Sequence, residues 1–499
     1  MIGGEAGSTR SVLLPVAQVP AIRLLTLVLL LSAAALWEAK KTSAFSSDEI
    51  WCHLRTGTWI LQNRAIPSTG LFSQLSGSHW IDFSWLYDAF CGALYKLFGL
   101  RAIPLLLMMF KVAVAAVTFL LAGGRRNFWW AVSLSAFAQF AITYLQPLPN
   151  MFSICFFGLA LHWILKARCR KRLAPLVWLP LLFWLWANLD AQVVLGLLLL
   201  GLFVLVEIIE RGITPSVDSG FQRIPLFHLA AIAAGCVIAT LITPYSIHLL
   251  SAAWQSEYSP TLFKNFAFMA AMSFRQPAHF VLALLLFAAC LQLGRQRSHD
   301  IFKVLFLVFC AALAFRVQRD NWTVVLAAIA VLGGKIGIDS GDVKASRQGS
   351  AAREYFYPGA GVAILLTFSF FLLPSSRVLE TRIENVFPAK ACDYVHANHL
   401  RAPLFNDYQW GGYLMWKLPE YPVFVDERLN LYGDEFRGAY FEAVMGKRRM
   451  ETLPGFSDQQ TILLPVNIPM AKALTTIAVL QQQFREVYRD NIAIVLVRR

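Results

Sequence analysis

Charged residues are scarce in this chain: Asp, Glu, Lys and Arg make up 15% of its 499 residues, against 57% hydrophobic ones. A soluble domain carries about a quarter charged residues, so the shortage excludes an ordinary soluble protein. The eight cysteines form no CxxC pair and follow no regular spacing, and several sit inside apolar runs, which argues against a disulfide frame or a zinc site. There is no Gly-rich phosphate loop, no HExxH and no GxSxG, so nucleotide-fuelled and triad chemistry lack their sequence marks. The net charge of +14 comes largely from Lys and Arg clustered in short breaks between apolar runs. Membrane topology explains such clusters better than a nucleic-acid surface, and no nucleic-acid partner is expected.

What the chain does have is apolar length. A run over 24–37 behind Arg23 reads as an uncleaved anchor, since no small-x-small cleavage site precedes Trp37-Glu38. Runs of spanning length follow at 102–122, 128–145, 150–166, 174–189, 191–209, 227–247, 278–294, 302–317, 321–337 and 356–374, giving about eleven transmembrane helices. Residues 84–99 carry Asp88 and Lys96 and read as an interfacial or re-entrant helix. With a cytoplasmic N-terminus, the basic breaks at Arg125-Arg126, Arg168 to Arg172, Arg211 with Arg223, Arg295 with Arg297, and Lys335 to Arg353 all fall inside. The opposite breaks are Gln146 to Asn150, Asn188 to Gln192, Trp254 to Arg275 and Arg316 to Asn321. They are polar but not simply basic, and read as the wall of an outward-facing site that includes Asn188, Asp190, Arg316 and Arg319. Asp190, between two nearly continuous apolar runs, is costly unless it faces water or a partner; a solvated hairpin tip is the plainer reading.

The chain organises around a first outer loop within 39–100. If residues 48–62 are helical, Asp48, Trp51, Cys52, Arg55 and Trp59 share one face, and Glu49 and His53 lie one turn apart on the next. Ser46 or Ser47 is the expected cap, and Pro67-Ser68-Thr69-Gly70 the expected stop. Two acids, an imidazole and a guanidinium therefore converge at a lipid-water boundary. Glu49 and His53 could pair on a divalent metal, but two ligands do not define a site, and no cofactor is assigned.

Residues 1–374 are thus read as a multi-spanning membrane domain and 375–499 as an extracytoplasmic soluble α/β domain. Strands over 402–405, 421–425, 461–464 and 491–497, with helices over 388–399 and 470–482, suggest a small parallel sheet. Trp410, Tyr413, Asp426 and Arg428 then fall in loops at one sheet edge, where ligands bind in open α/β sheets. Aromatics mixed with acids suit a carbohydrate surface. Alternatively, Asn406 and Asp407 cap the next helix while Gly411-Gly412 allows close packing.

The stretch Asp48-Glu49-Ile50-Trp51-Cys52-His53-Leu54-Arg55-Thr56-Gly57, with Ile66-Pro67, Phe72-Ser73, His79-Trp80 and Trp85-Leu86, resembles the first outer loop of GT-C type glycosyltransferases. The resemblance extends through Gln146-Pro147 before Met151-Phe152-Ser153, Trp186 to Leu189, and Ser259-Pro260, covering most of 20–330. It departs at Asp190-Ala191, where His-Gly is expected after the Asn-Leu pair. The resemblance implies transfer of a sugar from a polyprenyl-phosphate-linked donor to a glycan, lipid or protein acceptor on the outer face of the membrane, in a bacterial inner or plasma membrane. It makes Asp48 the first candidate for the base and Glu49 the second. Arg55, Arg316 and Arg319 would hold the departing phosphate, since a guanidinium binds phosphate in a bidentate fork. Two rivals remain: a transporter or flippase of lipid-linked substrates using the same cavity, and a non-catalytic assembly protein that binds polymer through its outer domain.

Overall fold

In the computed structural model the described residues are 47–124, 127–213, 224–257, 259–296, 300–333, 373–428 and 430–499, with parts of 22–29. Most of the expected anchor at 24–37, nearly all of the span at 356–374, and the basic residues Arg125, Arg126, Arg223, Arg297 and Lys335 to Arg353 lie outside them. The protein is mostly helical, with a small C-terminal sheet. Among the described residues, four helical stretches are long and apolar enough to cross a membrane: Trp85–Leu121, Asn150–Arg170, Val193–Ile213 and Pro277–Arg295. The shorter apolar helices Phe128–Ala141, Leu179–Leu189 and Leu226–Leu241 run between them, and Ile301–Arg316 and Trp322–Gly333 follow the last.

The stretch expected to lie along the interface is a helix of its own, continuous in sequence with a long apolar one. Trp85–Phe98 leads through a turn at Gly99 and a short 3-10 segment into Ala102–Leu121. Gly99 adopts φ 57°, which is cheap for glycine, so the chain turns there without ending the apolar column.

Contacts sort the breaks between helices into two sets. Arg168 donates to Glu207 at 2.6 Å, to Glu210 at 2.8 Å and to Asp300 at 3.1 Å, joining the ends of three helices. At the other set, Gln192 donates to Asp320 at 3.1 Å, Asn321 to Thr143 at 2.9 Å, and Gln318 to the Ala267 carbonyl at 2.6 Å. Tyr87 reaches the Pro147 carbonyl from Trp85–Phe98.

Helix Glu49–Asn63 begins one residue after the expected position and ends at Arg64, which is left-handed at φ 51°, before Pro67 is reached. Asp48, not Ser47, stands at its N-cap and its side chain is engaged elsewhere, while Ser46 lies outside the described residues. This helix crosses Trp85–Phe98 at Gly57 and Gly92. A Cβ on Gly57 would lie 1.8 Å from the Asp88 carbonyl oxygen, so only two glycines permit this approach.

The C-terminal region is a mixed sheet, not the parallel one expected. Strands β1 (Leu404–Asn406), β2 (Thr461–Pro465), β3 (Phe484–Arg489) and β4 (Ala493–Arg498) stand in the order β1-β2-β4-β3; β1 and β2 are parallel, and the other pairs antiparallel. The stretch 421–425 forms no full strand, but Val423 bridges in parallel to Leu404 on one side and to Ser73 on the other. The first outer loop therefore extends the edge of the C-terminal sheet. Trp51 and Leu54 of that loop share a continuous apolar core with Tyr413, Leu463 and Val495. Folding of the loop and of the domain is coupled through this burial, which removes apolar surface from water on both sides at once.

Candidate functional site at the seam between loop and outer domain

Asp48 is buried, and its two carboxylate oxygens accept the backbone amides of Gly412 and Tyr413, each at 2.7 Å. The approach requires glycine, because a Cβ on Gly412 would sit 2.5 Å from the Asp48 carbonyl oxygen. Burial pushes the Asp48 carboxyl well up, and the two amides work against that shift. The residue expected to act as the base is thus fixed to the outer domain through both oxygens.

One turn on, the His53 Nδ1 lies 2.6 Å from an Asp88 oxygen, and its Nε2 is 3.7 Å from Glu49 without a hydrogen-bond partner. Burial disfavours the imidazolium, but Asp88 and then Glu49 outweigh it and raise the pKa to about 10. His53 is therefore a cation at neutral pH, held in orientation by Asp88. Ser84 donates its hydroxyl to Asp88 at 3.4 Å and its amide to Asp82 at 3.1 Å. Asp82 is buried, and that burial pushes its carboxyl well up. Arg55 turns away from this group and lies over the Phe72 ring at 4.7 Å.

Across the seam, Asp426 is fully buried and takes a bidentate pair from Arg428, Nε to Oδ1 at 2.9 Å and Nη2 to Oδ2 at 2.7 Å. Tyr432 adds a third bond to Asp426 at 2.9 Å, and the remaining Arg428 nitrogen donates to the Leu71 carbonyl at 2.6 Å. Trp410 and Tyr413 are buried too. The expected exposed platform of Trp410, Tyr413, Asp426 and Arg428 is therefore a correction: these side chains form the interior joint between domain and loop. Composition alone does not separate a sugar-binding surface from a satisfied polar interior. Asp407 caps as expected, accepting the Gln409 amide at 2.9 Å, while Asn406 instead ties down Phe424 and Val425.

The breaks near Asp190, Phe263 and Arg319 enclose a second feature, a cavity of about 700 Å³ counted with its open mouth. Leu195 and Leu198, Trp254 and Phe263 give it apolar walls, and Arg316 and Arg319 stand in its lining. Leu198 is 43% and Trp254 53% exposed, so the cavity's mouth borders exposed apolar side chains. Arg316 lies 5.7 Å from the Phe263 ring, and Arg319 reaches Asp320 at 3.3 Å. Asp190 takes the Ser153 hydroxyl, which itself accepts the Trp186 indole N–H at 2.6 Å. Asn188 accepts the Trp85 indole N–H at 2.9 Å and donates to the Trp184 carbonyl at 2.8 Å. Asn188 and Asp190 thus brace helices where the sequence places a site wall.

Cavity and seam adjoin. Phe263, Phe266 and Met269 belong to one apolar cluster, and Phe266 meets Tyr408 of the outer domain with ring centroids 5.5 Å apart. The Tyr408 hydroxyl lies within electrostatic reach of Glu427 and Glu49. Sequence reasoning missed Asp82, Asp88, Tyr408 and Glu427 as members of this group. The only sequence signal for Glu427 is its place inside Asp426-Glu427-Arg428. Among the described residues no three His, Cys, Asp or Glu side chains are placed to hold a metal ion. No protein-family model and no curated protein sequence matches the chain.

Proposed function

We propose that the chain is an integral membrane glycosyltransferase of GT-C type, moving a sugar from a polyprenyl-phosphate-linked donor to an acceptor on the outer face of the membrane. The observation that carries this reading is the open apolar cavity with Arg316 and Arg319 in its lining, set against a seam of carboxylates and a charged histidine. A polyprenyl phosphate is an apolar chain ending in an anion, and such a cavity offers both a greasy wall and guanidinium donors. The seam offers carboxyl groups for the acceptor's proton. About eleven spans with a cytoplasmic N-terminus go with this reading, the outer domain lying outside and the membrane being a bacterial inner or plasma membrane. The polar breaks near Asp190, Phe263 and Arg319 adjoin the cavity, which supports it.

A carrier that flips the lipid-linked sugar without bond chemistry would use the same opening. Proteoliposomes holding the purified protein, a radiolabelled polyprenyl-phosphate sugar and a mixed acceptor extract separate the two. A transferase moves label from the organic to the aqueous or glycan phase in detergent solution as well as in vesicles. A carrier moves it only between leaflets, and label that stays on the lipid in both settings contradicts the transferase.

A further inference from the structure

Most carboxylates near the seam are already committed. Asp48 holds two amides, Asp426 holds Arg428 and Tyr432, Asp88 holds His53 and Ser84, and Asp407 caps a turn. Asp434 is tied to Ser259 and Thr261 at the loop that walls the cavity, and Asp82 is buried. Two carboxyl groups differ. Glu49 is 44% exposed and has the His53 Nε2 at 3.7 Å. Glu427 is partly exposed and makes no hydrogen bond or ion pair among the described residues. One comes from the first outer loop and the other from the outer domain, and both lie within electrostatic reach of the Tyr408 hydroxyl.

We propose that Glu427 is the catalytic carboxylate that takes the proton of the acceptor hydroxyl, an assignment that rests on the transferase reading above. A general base needs an accessible oxygen without a competing donor, and Glu427 meets that condition where Asp48 does not. His53, more than nine-tenths buried with Nε2 unpartnered and directed at Glu49, neutralises Glu49 in preference to Glu427. The two carboxyl groups then divide their tasks: Glu49, beside His53, orients the acceptor, and Glu427 binds and releases the proton. Burial, followed by the charges of Asp48, Glu49 and Asp426, pushes Glu427 well above the usual carboxylate range, with His53 opposing. A carboxylate with raised proton affinity is the stronger base toward an alcohol.

The step balances. The acceptor oxygen forms its bond to the anomeric carbon, and the bond from that carbon to the phosphate oxygen breaks, leaving its electron pair on the phosphate. The hydroxyl proton passes to Glu427, and the lipid phosphate departs in the cavity that Phe266 and Tyr408 connect to the seam. Because the working form is the carboxylate, turnover rises with pH through the raised Glu427 pKa. The groups facing Glu427 in that titration are Asp48, Glu49 and His53 from the loop helix, Asp426 beside it, and Tyr408.

The test compares full-length wild type, Glu427→Gln, Glu427→Asp and, as a surface control, Glu442→Gln, all in detergent with a polyprenyl-phosphate sugar and acceptor. Glu427→Gln is expected to lower kcat about 100-fold or more with the donor KM within about 2-fold, and to abolish the acidic limb of the pH profile. Glu427→Asp should keep the limb at reduced kcat. The melting temperature of Glu427→Gln should not fall, since no hydrogen bond is lost. Infrared titration supplies a readout apart from turnover: of the carboxyl bands that titrate above the usual carboxylate range in wild type, one component should be missing in Glu427→Gln. An active wild type with an equally active Glu427→Gln, or a set of carboxyl bands unchanged by the substitution, overturns this assignment alone. A wild type that transfers no sugar from any lipid-phosphate donor overturns the transferase reading and this role with it.

Discussion

Replacing Asp48 by Asn tests the joint between loop and outer domain. The carboxylate accepts two amides at 2.7 Å, one on each oxygen. Asn keeps one acceptor oxygen and puts an NH2 where the other oxygen was, so either the Gly412 or the Tyr413 amide loses its partner and faces a donor. Losing a hydrogen bond to a charged group costs about 1.5–3 kcal/mol, and stranding a buried donor adds a further ~1–3 kcal/mol. Relief of the buried Asp48 charge offsets part of this, leaving about 3 kcal/mol. At roughly 2–4 °C per kcal/mol for a unit of about 150–250 residues, the outer domain should melt about 6–12 °C lower. Thermal unfolding followed by tryptophan fluorescence gives the shift. Hydrogen exchange should quicken in a peptide spanning 405–416, while Glu49→Gln leaves that peptide unchanged. Sequence reasoning makes Asp48→Asn a shape-preserving change that abolishes transfer in a folded protein. An Asp48→Asn protein with wild-type melting and exchange would refute the joint and restore that reading.

Other consequences follow from the same contacts. Asp426→Ala leaves the Arg428 guanidinium buried without its carboxylate, a loss of about 3–5 kcal/mol, and should lower the melting temperature while impairing donor and acceptor use alike. A selective loss of acceptor use would contradict the interior role. His53 binds its proton more tightly folded, with a pKa of about 10 against the ordinary 6.5, so its contribution is complete below about pH 6.5 and disappears as pH rises through about 10. Wild type should therefore lose melting temperature from pH 7 to pH 10, and His53→Gln should flatten that slope; parallel slopes would refute the charged imidazole. Arg316→Gln and Arg319→Gln should each raise the donor KM about 10-fold, the equivalent of ~1.4 kcal/mol, with little change in outer-domain melting. Unchanged KM values would remove the cavity from donor binding.

The sequence made the local pieces of the seam readable but not their partners. Helix Glu49–Asn63 falls within a residue of its expected span because polarity and apolar spacing mark it, and the Glu49–His53 proximity follows from four-residue spacing. Asp88 stands 35 residues from His53, and the crossing that joins them depends on Gly57 meeting Gly92, a three-dimensional coincidence without a local signal. Strand β3, Phe484–Arg489, escaped notice because its mixed polar sequence and largely exposed burial pattern lack an apolar stripe. The helix expected over 470–482 is broken at Ile477, where no glycine or proline marks the stop. Val423 reads as part of a strand, yet its bridges run to Leu404 and to Ser73 of a loop some 350 residues earlier, a pairing that local patterning does not encode.

The most direct test of the account is photo-crosslinking of a diazirine-bearing polyprenyl phosphate to the purified full-length protein, with adducts mapped by mass spectrometry. Adducts are expected in the cavity walls, at 191–198, 253–254, 263–269 and 313–320, competed by unlabelled polyprenyl phosphate and reduced in the Arg316→Gln and Arg319→Gln double variant. Adducts spread over the apolar helix faces, indifferent to competitor and to both arginines, would contradict a donor site beside the seam.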